Sequence, residues 1–278
     1  MKKISLILIV LFFFHTGISY SKPKFEIMTF TQHENEDMRG LRIESNFQVE
    51  IIQGTNSMAV FEIDSELQNY VTSKLEDGLL IVEVKELPKK KQKNPYLKLK
   101  LHTLQINQLL IGGGSKIIVD GEFESTEEVI ISSSGASKIE NLTIKCPKIN
   151  IDCSGASNLK STISATELKI EVSGVAKCDL AITDNKNAEI KAGGVSDLLL
   201  KGSSENIKLT TSGSSTVRAS ELKAENVETD LSGASKVQIH AVKSLKAETS
   251  GGSILEYAGN PDDEKINSAT SSSVSKVL

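Results

Sequence analysis

The chain has 278 residues, a formal net charge of −4 at neutral pH, 38% hydrophobic residues, only 4% aromatics and no tryptophan. Mild acidity gives nucleic acid or an anionic membrane no electrostatic reason to bind, and the scarcity of aromatics leaves little for a sugar- or base-stacking platform. Three cysteines, an odd count crowded between positions 146 and 178, do not make a disulfide framework.

Residues 1–21 read as an export signal. Lys2 and Lys3 form a basic start, Ile4 to Phe14 are apolar apart from Ser5, and Ser19 and Ser21 stand at the −3 and −1 places before Lys22. No later segment approaches 18 consecutive apolar residues, so the mature chain is expected to be exported without a transmembrane segment, to the periplasm, the cell surface or the medium. No cysteine lies near the cleavage point, which argues against a lipid anchor. Loss of Lys2 and Lys3 moves the formal charge from −4 to −6.

After a lead-in at 22–38, residues 39–105 carry short strand patterns. Phe47, Val49 and Ile51 alternate with polar residues, and Met58 to Ile63, Leu79 to Val84 and Tyr96 to Leu101 do likewise. Gln53-Gly54-Thr55-Asn56 and Glu76-Asp77-Gly78 are turn signals, and Asp64 to Tyr70 suits one short helical turn. The region reads as a β-rich part that begins and caps the helix of residues 106–278, since the first coil needs its open edge covered. Leu87 to Pro95 is a basic loop bounded by prolines; without interleaved aromatics it reads as a solvated hairpin loop rather than a site for an acidic polymer.

Residues 106–278 are organised by a repeat. Ser-Gly-Ala-Ser stands at 134–137, 154–157 and 232–235, with looser copies centred on Gly113, Gly174, Gly194, Gly213 and Gly251 and a degenerate one on Ser273. The spacings from Gly113 are 22, 20, 19, 20, 19, 20, 18 and 22 residues, a period that signals stacked solenoid units. Six and four residues before each glycine the chain is mostly Ile, Leu or Val, as at Ile149 and Ile151 or Leu168 and Ile170; four after it, it is apolar again, as at Ile139 and Leu159. Each rung therefore reads as strand, glycine corner, strand and a variable turn.

An antiparallel meander would share that rhythm. The polar columns decide between them: Lys169, Glu189, Lys208, Glu228 and Lys246 all stand five residues before a repeat glycine and alternate in sign. Parallel, in-register stacking sets them about 4.8 Å apart with opposite charges adjacent. The expectation is an all-β, parallel β-helix of about nine rungs of ~20 residues. In the corner, glycine supplies a positive φ, and the serine two residues later is expected to pass hydrogen bonds from rung to rung. A serine repeated in every rung with no histidine travelling with it is not a nucleophile.

No catalytic constellation emerges. The chain has only three arginines, Arg39, Arg42 and Arg218, too few for a lyase-type carboxylate clamp. Asp152 and Glu171 fall three residues before successive glycines and, with Asp230, are the candidates a polysaccharide hydrolase or lyase would use, but their column continues through Lys191 and Thr210 and reads better as a charge-paired face. His33, His102 and His240 lack metal-ligand spacing, and no helix follows the glycines to receive a phosphate. No catalytic residue, cofactor or metal is expected. Cys178 sits in a column of Ile, Leu and Val and reads as a core residue; whether Cys146, Cys153 and Cys178 are free, and whether Cys146 is bonded to a neighbouring rung, stays open.

The phrases Phe47 to Gly54 (FQVEIIQG) and Leu75 to Ile81 (LEDGLLI), followed by the Gly-Ala-Ser-Lys-Ile repeats, resemble the putative auto-transporter adhesin, head GIN domain family over roughly residues 39–260. The resemblance implies a right-handed β-helix, export from a Bacteroidetes-type bacterium and an adhesin-like role without catalytic residues. The chain ends at Val277-Leu278, directly after the last repeat, so no translocator barrel is expected. The reading is a non-catalytic binding scaffold of the cell envelope, its partner an envelope protein or a glycan. A polysaccharide-active enzyme and a purely structural envelope component are the alternatives. Self-association through the edges of the final coil, Ser268 to Leu278, is also open.

Overall fold

A computed structural model describes residues 26–277; the export signal assigned to 1–21 lies outside the described residues. The chain opens with seven short strands: β1 (Ile27–Gln32), β2 (Gly40–Ser45), β3 (Gln48–Gln53), β4 (Met58–Asp64), β5 (Val71–Glu76), β6 (Leu79–Val84) and β7 (Leu97–Thr103). Between β4 and β5 lies one 3₁₀ turn, Ser65–Tyr70, capped by the Asp64 carboxylate accepting from the Glu66 amide, where a short helical turn is expected from the sequence. Four further short strands come next, β8 (Gln108–Gly113), β9 (Lys116–Asp120), β10 (Glu122–Glu124) and β11 (Val129–Ser133). Then come six long ones: β12 (Lys138–Cys153), β13 (Asn158–Val172), β14 (Lys177–Ala192), β15 (Asp197–Thr211), β16 (Thr216–Leu231) and β17 (Lys236–Thr249). The last are β18 (Ile254–Ala258), β19 (Asp263–Ser268) and β20 (Ser273–Lys276).

From β8 onward every pairing is parallel, and the whole forms a β-solenoid of about eight turns. Register follows the repeat: Ile149, Leu168, Ala188, Ile207, Val227 and Leu245 sit side by side in successive coils. The expected charge column also stacks in register, with Lys169 beside Glu189, Glu189 beside Lys208, Lys208 beside Glu228 and Glu228 beside Lys246.

One detail differs from the expectation. The variable turn that ends each rung does not interrupt the ladder: β12 to β17 run 14–16 residues each, from one glycine corner to the next. The chain bends while staying hydrogen-bonded. The bends show as breaks in the inward-outward alternation, at Glu140-Asn141 and Pro147-Lys148 in β12 and at Thr183-Asp184 and Lys186-Asn187 in β14. Asn141 and Asp184 take positive φ there (61° and 53°), and the register slips beside both. Asn and Asp tolerate that conformation better than other side chains, which is why a bend can pass without a glycine.

The glycine corner is the tightest point of the coil. Gly174 has φ +71°, and a Cβ placed on it would lie 2.7 Å from the carbonyl oxygen of Gly155 in the coil before. Each corner glycine from Gly135 to Gly251 meets its predecessor in the same way. The residue after the glycine supplies the link: the Ala136 amide donates to Gly113, Ala156 to Gly135 and Val175 to Gly155, at 2.7–2.8 Å. Rung-to-rung bonding at every one of these corners is therefore carried by the backbone, with serine hydroxyls adding to it at a few, as where Ser115 donates to the Ser45 carbonyl.

The serine column does not play its expected part as a whole. Ser137 shares a hydrogen bond with Ser133 (2.9 Å) and Ser235 with Thr211 (2.8 Å), but the buried hydroxyls of Ser157, Ser196, Ser215 and Ser253 have no partner. The serine amide is the useful group: Ser137 donates to Ser134 and Ser157 to Ser154, closing the turn. The side chain is held inward in a space that suits something small.

The parallel ladder reaches back into the N-terminal region. β2 and β3 pair in register with β8 and β9, and β6 and β7 flank β2 and β3 on the other side. Antiparallel strands then cover the open edges, β5 on β6 and β4 on β7, with β1 outermost on β4. Phe47 and Phe61 meet edge to face at 6.5 Å within this end, and Phe30 stacks on Phe61 at 5.1 Å. Paired edges and aromatic packing keep this end from acting as a template for further strands.

All three cysteines are free and buried within the solenoid. Burial pushes the Cys146 thiol up to about 11, far from the thiolate a redox role needs. Cys178 is raised as well, first by its hydrogen bond with Cys153 and then by burial.

Candidate functional site

Parallel stacking turns any residue type fixed at one place in the repeat into a line running along the solenoid. Seven residues before the repeat glycine that line is Glu167, Asn187, Asn206, Asn226 and Ser244, adjacent in register. It forms a continuous chain of side-chain hydrogen bonds. The Ser244 hydroxyl donates to Asn226 (2.8 Å), the Asn226 amide to Asn206 (2.9 Å), the Asn206 amide to Asn187 (3.0 Å), and the Asn187 amide to the Glu167 carboxylate (2.8 Å). Every donor points toward the same end of the molecule, and the chain terminates on a formal negative charge, an arrangement in which each bond polarises the next.

Two residues further along each strand stands the alternating column of Lys169, Glu189, Lys208, Glu228 and Lys246. Between the amide line and the charged column lies a shallow groove of about 730 Å³, reaching from Lys148 in β12 to Ser244 and Lys246 in β17. It crosses six coils, five inter-strand steps of about 4.8 Å, or roughly 24 Å in all. Its floor is narrow and apolar, formed by Leu168, Ala188, Ile207 and Val227.

The charged column is tied to its neighbours. Lys246 pairs with Glu228 at 2.7 Å within the column, while Lys169 pairs with Glu171 (3.0 Å), and Lys191 with both Glu189 (2.9 Å) and Glu171 (3.5 Å). The Lys169 ammonium beside it holds the Glu171 carboxyl below the usual carboxylate range, and Lys191 does the same for Glu189.

The carboxylates singled out from the sequence are placed plainly by this lattice. Asp152 and Glu171 do stand side by side in β12 and β13, and Asp230 lies further along the same column beside Glu248. Glu171, however, is held ionised by two lysines, the opposite of what a general acid in a glycosidase requires. Among the described residues no group of three His, Cys, Asp or Glu side chains converges as a metal site would. His33 contacts Ser73 and Glu36 in the N-terminal region, and His102 (β7) and His240 (β17) belong to distant strands. The basic loop is partly tied down: Lys91 reaches the buried carboxylate of Asp64 (2.6 Å) and the exposed one of Glu66 (3.0 Å).

The amide line is the feature that strand and corner reasoning passes over. Its signal was present in the spacing: three asparagines, 187, 206 and 226, each seven residues before a repeat glycine. A column of amides carries no charge alternation to draw the eye, and its meaning depends on knowing which way the side chains face.

Fold and groove together define a parallel β-solenoid with a lengthwise polar face. The chain belongs to the family described as "Putative auto-transporter adhesin, head GIN domain", whose model matches residues 37–181 and 148–261. Among solved structures it is similar to a putative adhesin from Parabacteroides distasonis (17% identity, TM-score 0.66, covering 91% of this chain and 98% of the other). A putative adhesin from Parabacteroides merdae is comparable (15%, TM-score 0.60, 92% and 98%), as is a putative lipid binding protein from Parabacteroides distasonis (18%, TM-score 0.61, 92% and 98%). At such identities the likeness is one of fold. No curated protein matches the chain.

Proposed function

We propose that the protein is a non-catalytic, adhesin-like binding scaffold of the bacterial cell envelope, exported to act there, with the groove along β12–β17 as its binding face. The observation that carries the reading is the groove's construction: a lengthwise line of hydrogen-bonding groups repeated once per coil, beside a column of charges that alternate in sign. Binding surfaces need many modest contacts held in fixed register, which stacked coils supply without further elements. An enzyme would need a carboxylate displaced toward neutrality, and Glu171, Glu189 and Glu228 are all displaced the other way.

The name of one structural relative raises a lipid ligand. The solenoid interior does not favour it: the void beside Ile190, Leu200 and Val217 measures about 10 Å³, too small for an acyl chain.

The scaffold reading predicts that the purified protein retains material from envelope extracts or an immobilised glycan panel, without altering it. Absence of any retention would count decisively against it. Release of new reducing ends or unsaturated sugars from a polysaccharide panel, abolished by Asp152→Ala, would replace it with an enzyme.

A further inference from the structure

We infer that the groove takes a linear, uncharged glycan lying in extended form along the solenoid, one sugar per coil, read by Asn187, Asn206 and Asn226. The inference rests on the scaffold reading and names its ligand class. Its first support is the hydrogen-bonding capacity left after the amide line has bonded to itself. Asn187 and Asn226 each use one amide hydrogen and one lone pair within the line, so each retains one donor and one acceptor. Asn206 spends its second hydrogen on the Lys186 carbonyl and retains an acceptor. The face therefore offers donors and acceptors together, the combination that matches hydroxyl groups, which do both.

Spacing is the second support. Equivalent groups recur at about 4.8 Å, close to the length of one pyranose in an extended chain, so each coil can meet one ring. Amides that offer both a donor and an acceptor serve either edge of a chain whose rings turn over. An extended peptide, at about 3.3 Å per residue, falls out of step. Charge is the third. Glu189 and Glu228 alternate with Lys169, Lys208 and Lys246 along the facing wall, so an acidic or basic polymer would meet a like charge at every second coil. An uncharged ligand meets none. The amide line also has a direction, every donor pointing toward Glu167, which makes the two orientations of a glycan with distinct ends unequal.

The groove spans six coils, so affinity should climb with chain length up to about five or six sugars. The test is calorimetric titration of the full protein with cello-, xylo-, manno- and chito-oligosaccharides of two to six residues. Polygalacturonate oligomers of the same lengths provide the anionic comparison. The expected result is a length-dependent affinity for at least one neutral series that exceeds that for the galacturonates. In Asn187→Ala/Asn226→Ala binding should weaken about tenfold or more, since two hydrogen bonds are lost. Both positions lie on the outer face, and an unchanged melting curve shows the variant folded. On the opposite wall Lys208 is the lysine of the lining that forms no ion pair among the described residues, so its ammonium is available to a sugar hydroxyl. Lys208→Gln is a second, independent lesion and should weaken binding severalfold. Three results overturn the inference: no neutral series bound, stronger binding of the galacturonates, or neutral binding untouched by both variants. Retention of envelope material with no oligosaccharide bound removes the glycan and leaves the scaffold; loss of both removes both.

Discussion

At the scale of single residues the corner separates two kinds of recurrence along the repeat. The glycines are irreplaceable on two counts, a left-handed backbone and a carbonyl oxygen where a Cβ would stand. Left-handed backbone alone costs about 1–2 kcal/mol for a residue with a side chain, and displacing a neighbouring coil adds to it, so Gly174→Ala should destabilise by about 2–4 kcal/mol. The serines two places later have a weaker claim. The unpartnered hydroxyl of Ser157 is a buried polar group with nothing to bond, so Ser157→Ala should leave the melting temperature unchanged or raise it. Ser137, bonded to Ser133, should lose stability on the same change. Thermal denaturation of the three variants side by side checks the ordering, and a clear fall for Ser157→Ala would show that its hydroxyl is bonded after all.

At the scale of strands, what could be read from the sequence was whatever repeats. Period-two apolar columns, the glycine corner and the sign alternation from Lys169 to Lys246 together required parallel, in-register coils, because only that stacking makes equivalent positions neighbours. That the helix begins in the N-terminal region was legible from its strand patterns, but the coil of β2 and β3 carries no repeat mark, and the reason lies at one corner. Ser45-Asn46 takes the place of the glycine there, and neither residue has the positive φ of the later corners; β6 and β7, which flank this coil, are joined by the long segment 85–96 instead of a tight turn. Without a left-handed corner the glycine mark disappears. The amide line escaped for a different reason: its residues look like any exposed loop polar group until the bends at 147–148 and 186–187 fix which way they face.

The same columns set the pH response. Glu171, Glu189 and Glu228 are held below their ordinary 4.5 by Lys169, Lys191 and Lys246 respectively, so their contribution is complete above pH 4.5 and is lost as pH falls through the lower folded-state values. Lys191 and Lys246 are raised above 10.5 by Glu189 and Glu228, so theirs is complete below that and lost as pH climbs past it. Stability should therefore be flat between about pH 5 and pH 9 and decline on both sides. The alkaline side starts with the buried Cys146 and Cys178, which stay protonated in the fold while the unfolded chain's thiols ionise above their ordinary 9.0. Because the ion-paired groups are exposed, each of their steps is small, and 1 M salt should flatten that part of the profile further. Differential scanning calorimetry from pH 3 to 11 checks this, and Glu171→Gln should reduce the acid-side decline.

At the scale of the molecule, each coil touches chiefly the coil before and the coil after, and the heaviest packing runs between consecutive long strands from β12 to β17. Stability in such an array is close to a sum of coil terms and nearest-neighbour interfaces. Removing residues 175–194, one full repeat from the residue after Gly174 through Gly194, joins two equivalent corners and should leave a folded, shorter solenoid. Gly174 would then precede Val195, and Gly213 would stack on Gly174 as it now does on Gly194. The denaturant m-value should fall by roughly one part in eight, because surface exposed on unfolding scales with the number of coils. The groove would shorten by one step and lose Asn187, bringing Asn206 onto Glu167, so the donor line would still end on a carboxylate. Urea unfolding followed by circular dichroism distinguishes this from the alternative. A variant that aggregates or melts without a cooperative transition would mean the coils are not interchangeable, and that the 19-to-20-residue alternation in the repeat carries long-range strain that a single excision leaves unbalanced.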